Sequence, residues 1–157
     1  MADEPCQLID TCALVNFEAQ FGDSENFWPA VIKEITDGRL KTIRHVWDEI
    51  KRKFPPIHAK LKAHRKMFVV SDTVLYDQIA VGEVRIIQQY HGNLIDQLGT
   101  GNPADPFLIA AAKSMGACVI TDEKTSGPRH KSRIPYVCKA RNVKCKSGAD
   151  YLVELGF

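Results

Sequence analysis

The chain has 157 residues, of which 45% are apolar and 25% charged, and a formal net charge of +2. That length is expected to form one domain with a real core, and the composition is ordinary for a soluble globular chain. No apolar run approaches a membrane span and the opening Met1-Ala2-Asp3-Glu4-Pro5 lacks a signal-peptide pattern, so the expected setting is cytoplasmic, with no membrane partner.

Cys6-Gln7-Leu8-Ile9 reads as a short apolar strand that delivers Asp10, and residues 10–20 then turn helical. Gly22-Asp23-Ser24 breaks the chain. Ser24 can cap a second helix to about Ile35, with Phe27, Val31 and Ile35 on one face. Thr36-Asp37-Gly38 is a turn and Leu40 to Ile43 a short strand. A helix starts at Trp47-Asp48-Glu49-Ile50-Lys51 and must be interrupted by Pro55-Pro56. A basic helix over 57–66 follows, then a short extended piece from Met67 to Val70. Ser71 caps helical sequence, in one or two pieces, to about Leu98. Gly99-Thr100-Gly101-Asn102-Pro103 is a loop.

The next stretch, Asp105 to Glu123, has the clearest pattern. Asp105 is placed as an N-cap and Pro106 suits the first helical turn. Leu108, Ala111, Ala112 and Met115 share a face, and Gly116 can end the helix in a left-handed conformation. Ala117 to Thr121 is then an apolar run of the kind buried on both faces of a parallel sheet, with Asp122-Glu123 at its exit. Ser126-Gly127-Pro128 opens a basic loop, Pro135 to Arg141 is helical, Val143 to Cys145 is a last strand, and Gly148 to Leu155 a terminal helix. No internal repeat or low-complexity segment is present. Strands alternating with helices predict an α/β chain with a mainly parallel sheet.

Charge is unevenly spread. Residues 39–66 hold ten Lys/Arg against Asp48 and Glu49, and 124–146 hold eight with no acid, so these blocks carry 18 of the 21 basic residues. That segregation suits a polyanion on one side of the molecule, against the plainer alternative of two solvated basic faces. Lys51, Arg52, Lys60, Arg65, Arg129, Lys131 and Arg133 are the candidate phosphate contacts. The five cysteines fit reduced thiols. Cys6, Cys12 and Cys118 read as core packing, and the six residues between Cys138 and Cys145 are not a usual zinc spacing.

Four acidic positions stand out: Asp10, Glu49, Asp105 and the pair Asp122-Glu123. Each has a simple structural reading as a helix cap, a first-turn acid or a polar strand exit. Their order, and the strand-end placement of Asp10 and Asp122-Glu123, favour a site, because ligands collect at that edge of open α/β sheets; Glu49 sits on a helix that would have to cross the cleft. Acids brought together there repel unless cations neutralise them, and hard oxygen ligands select Mg²⁺ or Mn²⁺. A phospho-aspartyl enzyme with Asp10 as nucleophile fits less well. Thr11-Cys12-Ala13-Leu14 offers no second acid, and Lys124 suits the paired-lysine role only weakly.

The ordered set also carries a resemblance. Leu8-Ile9-Asp10-Thr11-Cys12-Ala13-Leu14 resembles the opening motif of PIN domains, and Val46-Trp47-Asp48-Glu49-Ile50 their helical second acid. Asp105-Pro106-Phe107-Leu108-Ile109-Ala110-Ala111-Ala112 and Val119-Ile120-Thr121-Asp122-Glu123 are similar to the family's Ala-rich helix and last acidic strand exit. The likeness covers residues 7–155 and is greatest to the VapC-like toxin ribonucleases. It implies a Rossmann-like three-layer α/β/α sandwich and a Mg²⁺- or Mn²⁺-dependent endoribonuclease, the toxin of a toxin–antitoxin pair. An RNA substrate, a cognate antitoxin and a homodimer are the implied partners. Asp10, Glu49, Asp105, and Asp122 or Glu123, fall on its metal-site acids. Cys12 stands where the family commonly has Asn, and the basic segment 124–146 replaces a shorter connection. A non-catalytic RNA-binding protein on the same fold is the alternative.

Overall fold

Leu8, Ile9, Val119 and Ile120 are each fully buried, as two short strands covered on both faces must be. The computed structural model describes residues 6–91, 104–127 and 133–157. Among them run four strands: β1 (Gln7–Ile9), β2 (Leu40–Lys41), β3 (Cys118–Ile120) and β4 (Cys145–Lys146). They lie in the order β2-β1-β3-β4, and each neighbouring pair is parallel. Helices flank the sheet: α1 (Thr11–Phe21), α2 (Phe27–Thr36), α3 (Arg44–Lys53), α4 (Pro55–Leu61), α5 (Arg65–Phe68), α6 (Asp72–Leu75), α7 (Gln78–Tyr90), α8 (Asp105–Met115), α9 (Ile134–Ala140) and α10 (Gly148–Leu155). The architecture is the expected three-layer α/β/α sandwich.

The strand order positions the site. From β1 the chain passes through α1 and α2 to β2 on one side, then through α3 to α8 to β3 on the other. The order therefore reverses at β1, and the exits of β1 and β3 flank the crevice where such sheets bind ligands. The two strands run in register, Leu8 beside Val119 and Ile9 beside Ile120. The Asp10 N–H extends the pairing by donating to the Ile120 carbonyl at 2.9 Å. Asp10 and the residues after Ile120 leave the sheet together.

One helical group joins α1, α2 and α10. The Phe17 ring packs edge-on to Phe27 at 5.4 Å and stacks on Tyr151 at 6.2 Å. The other group centres on α8, whose Ala110, Ala111 and Ala112 are buried against the neighbouring elements. Small side chains there let the helix approach the sheet closely. Gly116 ends α8 at φ 66°, the left-handed geometry expected of it. Glu83 of α7 accepts two hydrogen bonds from Arg141, at 2.9 and 2.7 Å, and so fastens α7 to the end of α9.

Several boundaries differ from the sequence reading for identifiable reasons. Ser24 does not start α2; its Oγ accepts the Asn26 and Phe27 N–H groups, each at 3.3 Å, and the helix begins at Phe27. α3 opens at Arg44, not Trp47, burying Val46, Trp47 and Ile50. Pro55 and Pro56 open α4, where their fixed φ is compatible with a first turn. The expected helix over 57–66 is instead α4, a 3-10 turn at Lys62–His64 and α5. Of the piece 67–70, only Val69 and Val70 are extended. They pair beside Thr42, whose carbonyl accepts the Val70 N–H at 2.9 Å. Ser71 caps α6, and Asp77 starts α7 separately by accepting the Ile79 N–H at 2.9 Å. β4 falls at 145–146, two residues after the expected start at Val143, which is buried. The end of the long helical stretch at 92–98, the loop 99–103 and Pro128 lie outside the described residues.

Candidate metal centre

Asp10 leaves β1 almost fully buried, at 2% exposure. It does cap α1, its Oδ1 accepting the Thr11 N–H at 2.7 Å. Its other oxygen is held as well: Oδ2 accepts from the Thr121 hydroxyl at 3.1 Å and the Cys12 thiol at 3.0 Å. Cys12 therefore belongs to the acid's surroundings and is not plain core packing. The Cys12 Sγ also accepts the Asp122 N–H at 3.3 Å, tying the exits of β1 and β3 together.

Asp105 is not an N-cap. Ala104 occupies that position, and Asp105 is the first residue of α8, at 3% exposure. Its Oδ1 is buried with no hydrogen-bond partner. Glu123 leaves β3 half-buried, and its Oε2 accepts the Ile134 N–H at 2.7 Å, at the start of α9. Asp10, Asp105 and Glu123 each offer one carboxylate oxygen, and these three atoms lie within 4.8 Å of one another.

The other two expected acids stand apart from this trio. Glu49 on α3 accepts the Thr11 hydroxyl at 3.0 Å, and Lys53 Nζ lies 3.9 Å from its other oxygen. It is near enough for its charge to raise the pKa of both Asp10 and Asp105. Asp122 is turned away: Oδ1 accepts the Gly148 N–H at 2.7 Å and Oδ2 the Asn16 side chain at 2.9 Å. Consecutive residues in extended backbone point to opposite sides, so only Glu123 reaches the trio. Asp122 holds the start of α10 against β3. Glycine suits the position opposite it, because a Cβ at position 148 would lie 2.7 Å from Asp122 Oδ2 and would displace that carboxylate.

The basic residues divide similarly. Lys51 and Arg52 on α3 and Arg65 on α5 are exposed. Lys60 is committed elsewhere: its Nζ lies 2.6 Å from both Glu18 oxygens, donates to the Gly22 carbonyl at 3.2 Å and sits over the Trp28 ring. A phosphate contact from Lys60 would have to compete with this pairing. Arg133 is half-buried beside Glu123, and its charge favours the ionised glutamate. Arg129 and Lys131 lie outside the described residues. Sequence reasoning missed Thr121, Cys12 and the Ile134 N–H as supports of the acids. A hydroxyl at the last position of an apolar strand, just before an acid pair, was the available signal for Thr121.

Electrostatics follow from burial. Loss of water is the main reason the Asp105 carboxyl is pushed up from 3.8 to about 10, and the charges of Asp10, Glu123 and Glu49 push it the same way. Burial also raises Asp10, against the hydrogen bonds from Cys12, Thr11 and Thr121. It raises Glu123 against the Ile134 N–H. A hydrogen bond between Asp105 and Glu123 favours a protonated Asp105 beside an ionised Glu123. Three converging carboxylate oxygens, with Asp105 Oδ1 buried and unpartnered, fit a hard divalent cation such as Mg²⁺ or Mn²⁺.

A family model described as a domain of unknown function, DUF4411, matches residues 7–157. No curated protein and no solved structure matches the chain.

Two outcomes are expected. Because the folded-state pKa of Asp105 is raised, its favourable contribution is complete below its ordinary value of 3.8 and is lost as pH rises through about 10. In EDTA, stability from urea unfolding should fall between about pH 5 and about pH 9, and Asp105→Asn should flatten that slope. An equal slope in the variant would contradict the assignment. Separately, Mn²⁺ should raise the melting temperature by mass action, and Glu123→Gln should remove most of the rise. Asp122→Ala should lower stability by about 1–2 kcal/mol while keeping the rise, since it loses hydrogen bonds and not a ligand. Thermal melts with Mn²⁺ and with EDTA check both variants.

Proposed function

We propose that this chain, which belongs to the DUF4411 family, is a Mg²⁺- or Mn²⁺-dependent endoribonuclease hydrolysing RNA phosphodiester bonds. The observation that carries the reading is the buried Asp105 Oδ1, left without a partner among acids that repel it. A purely structural acid at that position would have both oxygens hydrogen-bonded or be replaced, because an unpaired buried polar atom costs about 1–3 kcal/mol. The exposed Lys51, Arg52 and Arg65 support a polyanionic substrate, and the ordered PIN-like motifs support RNA and phosphodiester chemistry.

Asp10, Asp105 and Glu123 would hold the ion. When bound, such an ion neutralises charge on a phosphodiester and makes a nearby water more acidic. The chain's own contribution is positioning. Thr121, Cys12 and the Thr11 N–H fix both oxygens of Asp10, and the Ile134 N–H fixes Glu123. Glu49, held by Thr11, lies beside the trio and is assigned to orienting water or to a second ion. Among the described residues the acid cluster holds no Ser-His or Cys-His pair to serve as a covalent nucleophile. The Cys12 thiol donates to Asp10, and burial raises its pKa, so it stays a neutral thiol.

A toxin role with a cognate antitoxin, a homodimeric state and a cytoplasmic setting belong to the same proposal, and the resemblance supports the first two. The described cysteines are all free, which agrees with a reducing compartment. No helix among the described residues is long and apolar enough to cross a membrane.

Direct attack by water leaves 5′-phosphate and 3′-hydroxyl ends, whereas attack by the neighbouring 2′-hydroxyl leaves a 2′,3′-cyclic phosphate. End-group analysis of RNA cleaved with Mn²⁺ should show the first pair alone, with cleavage lost in EDTA and in Asp10→Asn. Cyclic phosphates, or cutting that persists in EDTA, would sink the assignment.

A further inference from the structure

Cys138 and Cys145 stand outside the acid trio, and the proposed reaction does not use them. Cys138 lies on α9 and is fully buried. Cys145 is half-buried on β4, which is an edge strand of the sheet. The chain between them turns back tightly. Asn142 takes a left-handed conformation at φ 57°, and the Val143 N–H donates to the Cys138 carbonyl at 2.8 Å. That turn returns β4 alongside α9 and sets the two thiols against each other as a hydrogen-bonded pair. Cys145 also lines the groove that opens between the β3 exit, α9 and the start of α10, so small solutes reach it. A third thiol nearby is set apart by the sheet. Val119 is the register partner of Cys145, and side chains alternate along a strand, so Cys118 points to the opposite face.

The two thiols differ in reactivity. The hydrogen bond from Cys138 lowers the Cys145 pKa, against burial and the charges of Glu123 and Asp10. The same bond, together with burial, raises the pKa of Cys138. Cys145 is the accessible and more acidic thiol, and Cys138 the shielded one. A thiolate that attacks beside a thiol that resolves is the arrangement of a redox-sensitive pair.

We propose that Cys138 and Cys145 form a reversible redox site that closes to an intramolecular disulfide when the protein meets a peroxide. The Cys145 thiolate attacks a peroxide oxygen and the O–O bond breaks. Cys145 becomes a sulfenic acid, and the departing hydroxide is protonated to water. The Cys138 sulfur then attacks the Cys145 sulfur. The S–S bond forms, and the sulfenic oxygen leaves as a second water that carries the Cys138 proton. Two thiols are oxidised and hydrogen peroxide is reduced to two waters. A dithiol reductant reopens the bond by exchange. The closed bond ties α9, whose Ile134 N–H holds Glu123, to the edge strand. In a reducing compartment such a pair senses oxidation and is not a permanent staple. The inference does not depend on the nuclease reading.

The test is peptide mapping of the full chain by mass spectrometry. Reduced protein is treated briefly with hydrogen peroxide at neutral pH, remaining thiols are alkylated, and the denatured chain is digested with trypsin. Lys139, Arg141 and Lys144 lie between the two cysteines, so trypsin separates them and a linked pair of peptides reports the bond directly. The Cys138 and Cys145 peptides should be linked. The link should be lost with dithiothreitol and in Cys145→Ser, and Cys118→Ser should retain it. The wild type alone gives a second readout. Closing the loop constrains the unfolded chain, so the oxidised protein should melt at a higher temperature than the reduced protein. Recovery of both residues as alkylated thiols, a link to Cys6, Cys12 or Cys118 in their place, a link between two chains, or a disulfide that lowers the melting temperature would each overturn the inference.

Discussion

Asp10, Asp105 and Glu123 converge to within 4.8 Å at the exits of two largely buried strands, and the local structure is arranged around that repulsion. Two ionised carboxylates at this separation repel by about 3.5 kcal/mol at an effective dielectric of about 20. The chain answers with directed hydrogen bonds. Asp10 accepts three and Glu123 accepts one from the first N–H of α9. Asp105 receives no such help at Oδ1, and its burial, together with the neighbouring negative charges, raises its pKa. Perturbed carboxyls gathered at one sheet edge make that edge a candidate functional site.

The sheet makes this convergence unavoidable. Pairing of Ile9 with Ile120 brings the exits of β1 and β3 side by side, and the reversal of strand order at β1 leaves a crevice above them. α8 packs against both strands and brings Asp105 to the same edge. Asp122 and Gly148 then close the far side by tying α10 to the β3 exit. Glu123 and Asp122 thus have separate roles although they are neighbours in sequence. One faces the acid trio and the other anchors a helix.

Much of the fold was legible in the sequence. Leu8-Ile9 and Val119-Ile120 are apolar runs too short and too continuous for amphipathic helices, and Gly116 marks where α8 must stop. The strand-end acids could be located for the same reason. What could not be read was which way each acid points. Asp105 looked like a cap because Asp before Pro usually is one, yet Ala104 takes the cap position and turns the carboxylate inward. Lys60 looked like a phosphate contact because its partner Glu18 is 42 residues distant in sequence, and only tertiary packing brings the two together. Cys12 and Thr121 are equally remote in sequence and meet across the strand exits at 3.3 Å.

The central claim is that the trio exists to hold a divalent cation. It is tested most directly by counting protons released when Mn²⁺ binds, using titration calorimetry near pH 7 in buffers of different ionisation enthalpy. With its pKa pushed up to about 10, Asp105 is protonated before the ion arrives and must ionise to become a ligand. About one proton per bound ion is expected from the wild type, and none from Asp105→Asn. Mn²⁺ binding with no proton release, or no Mn²⁺ binding at all, would contradict the account.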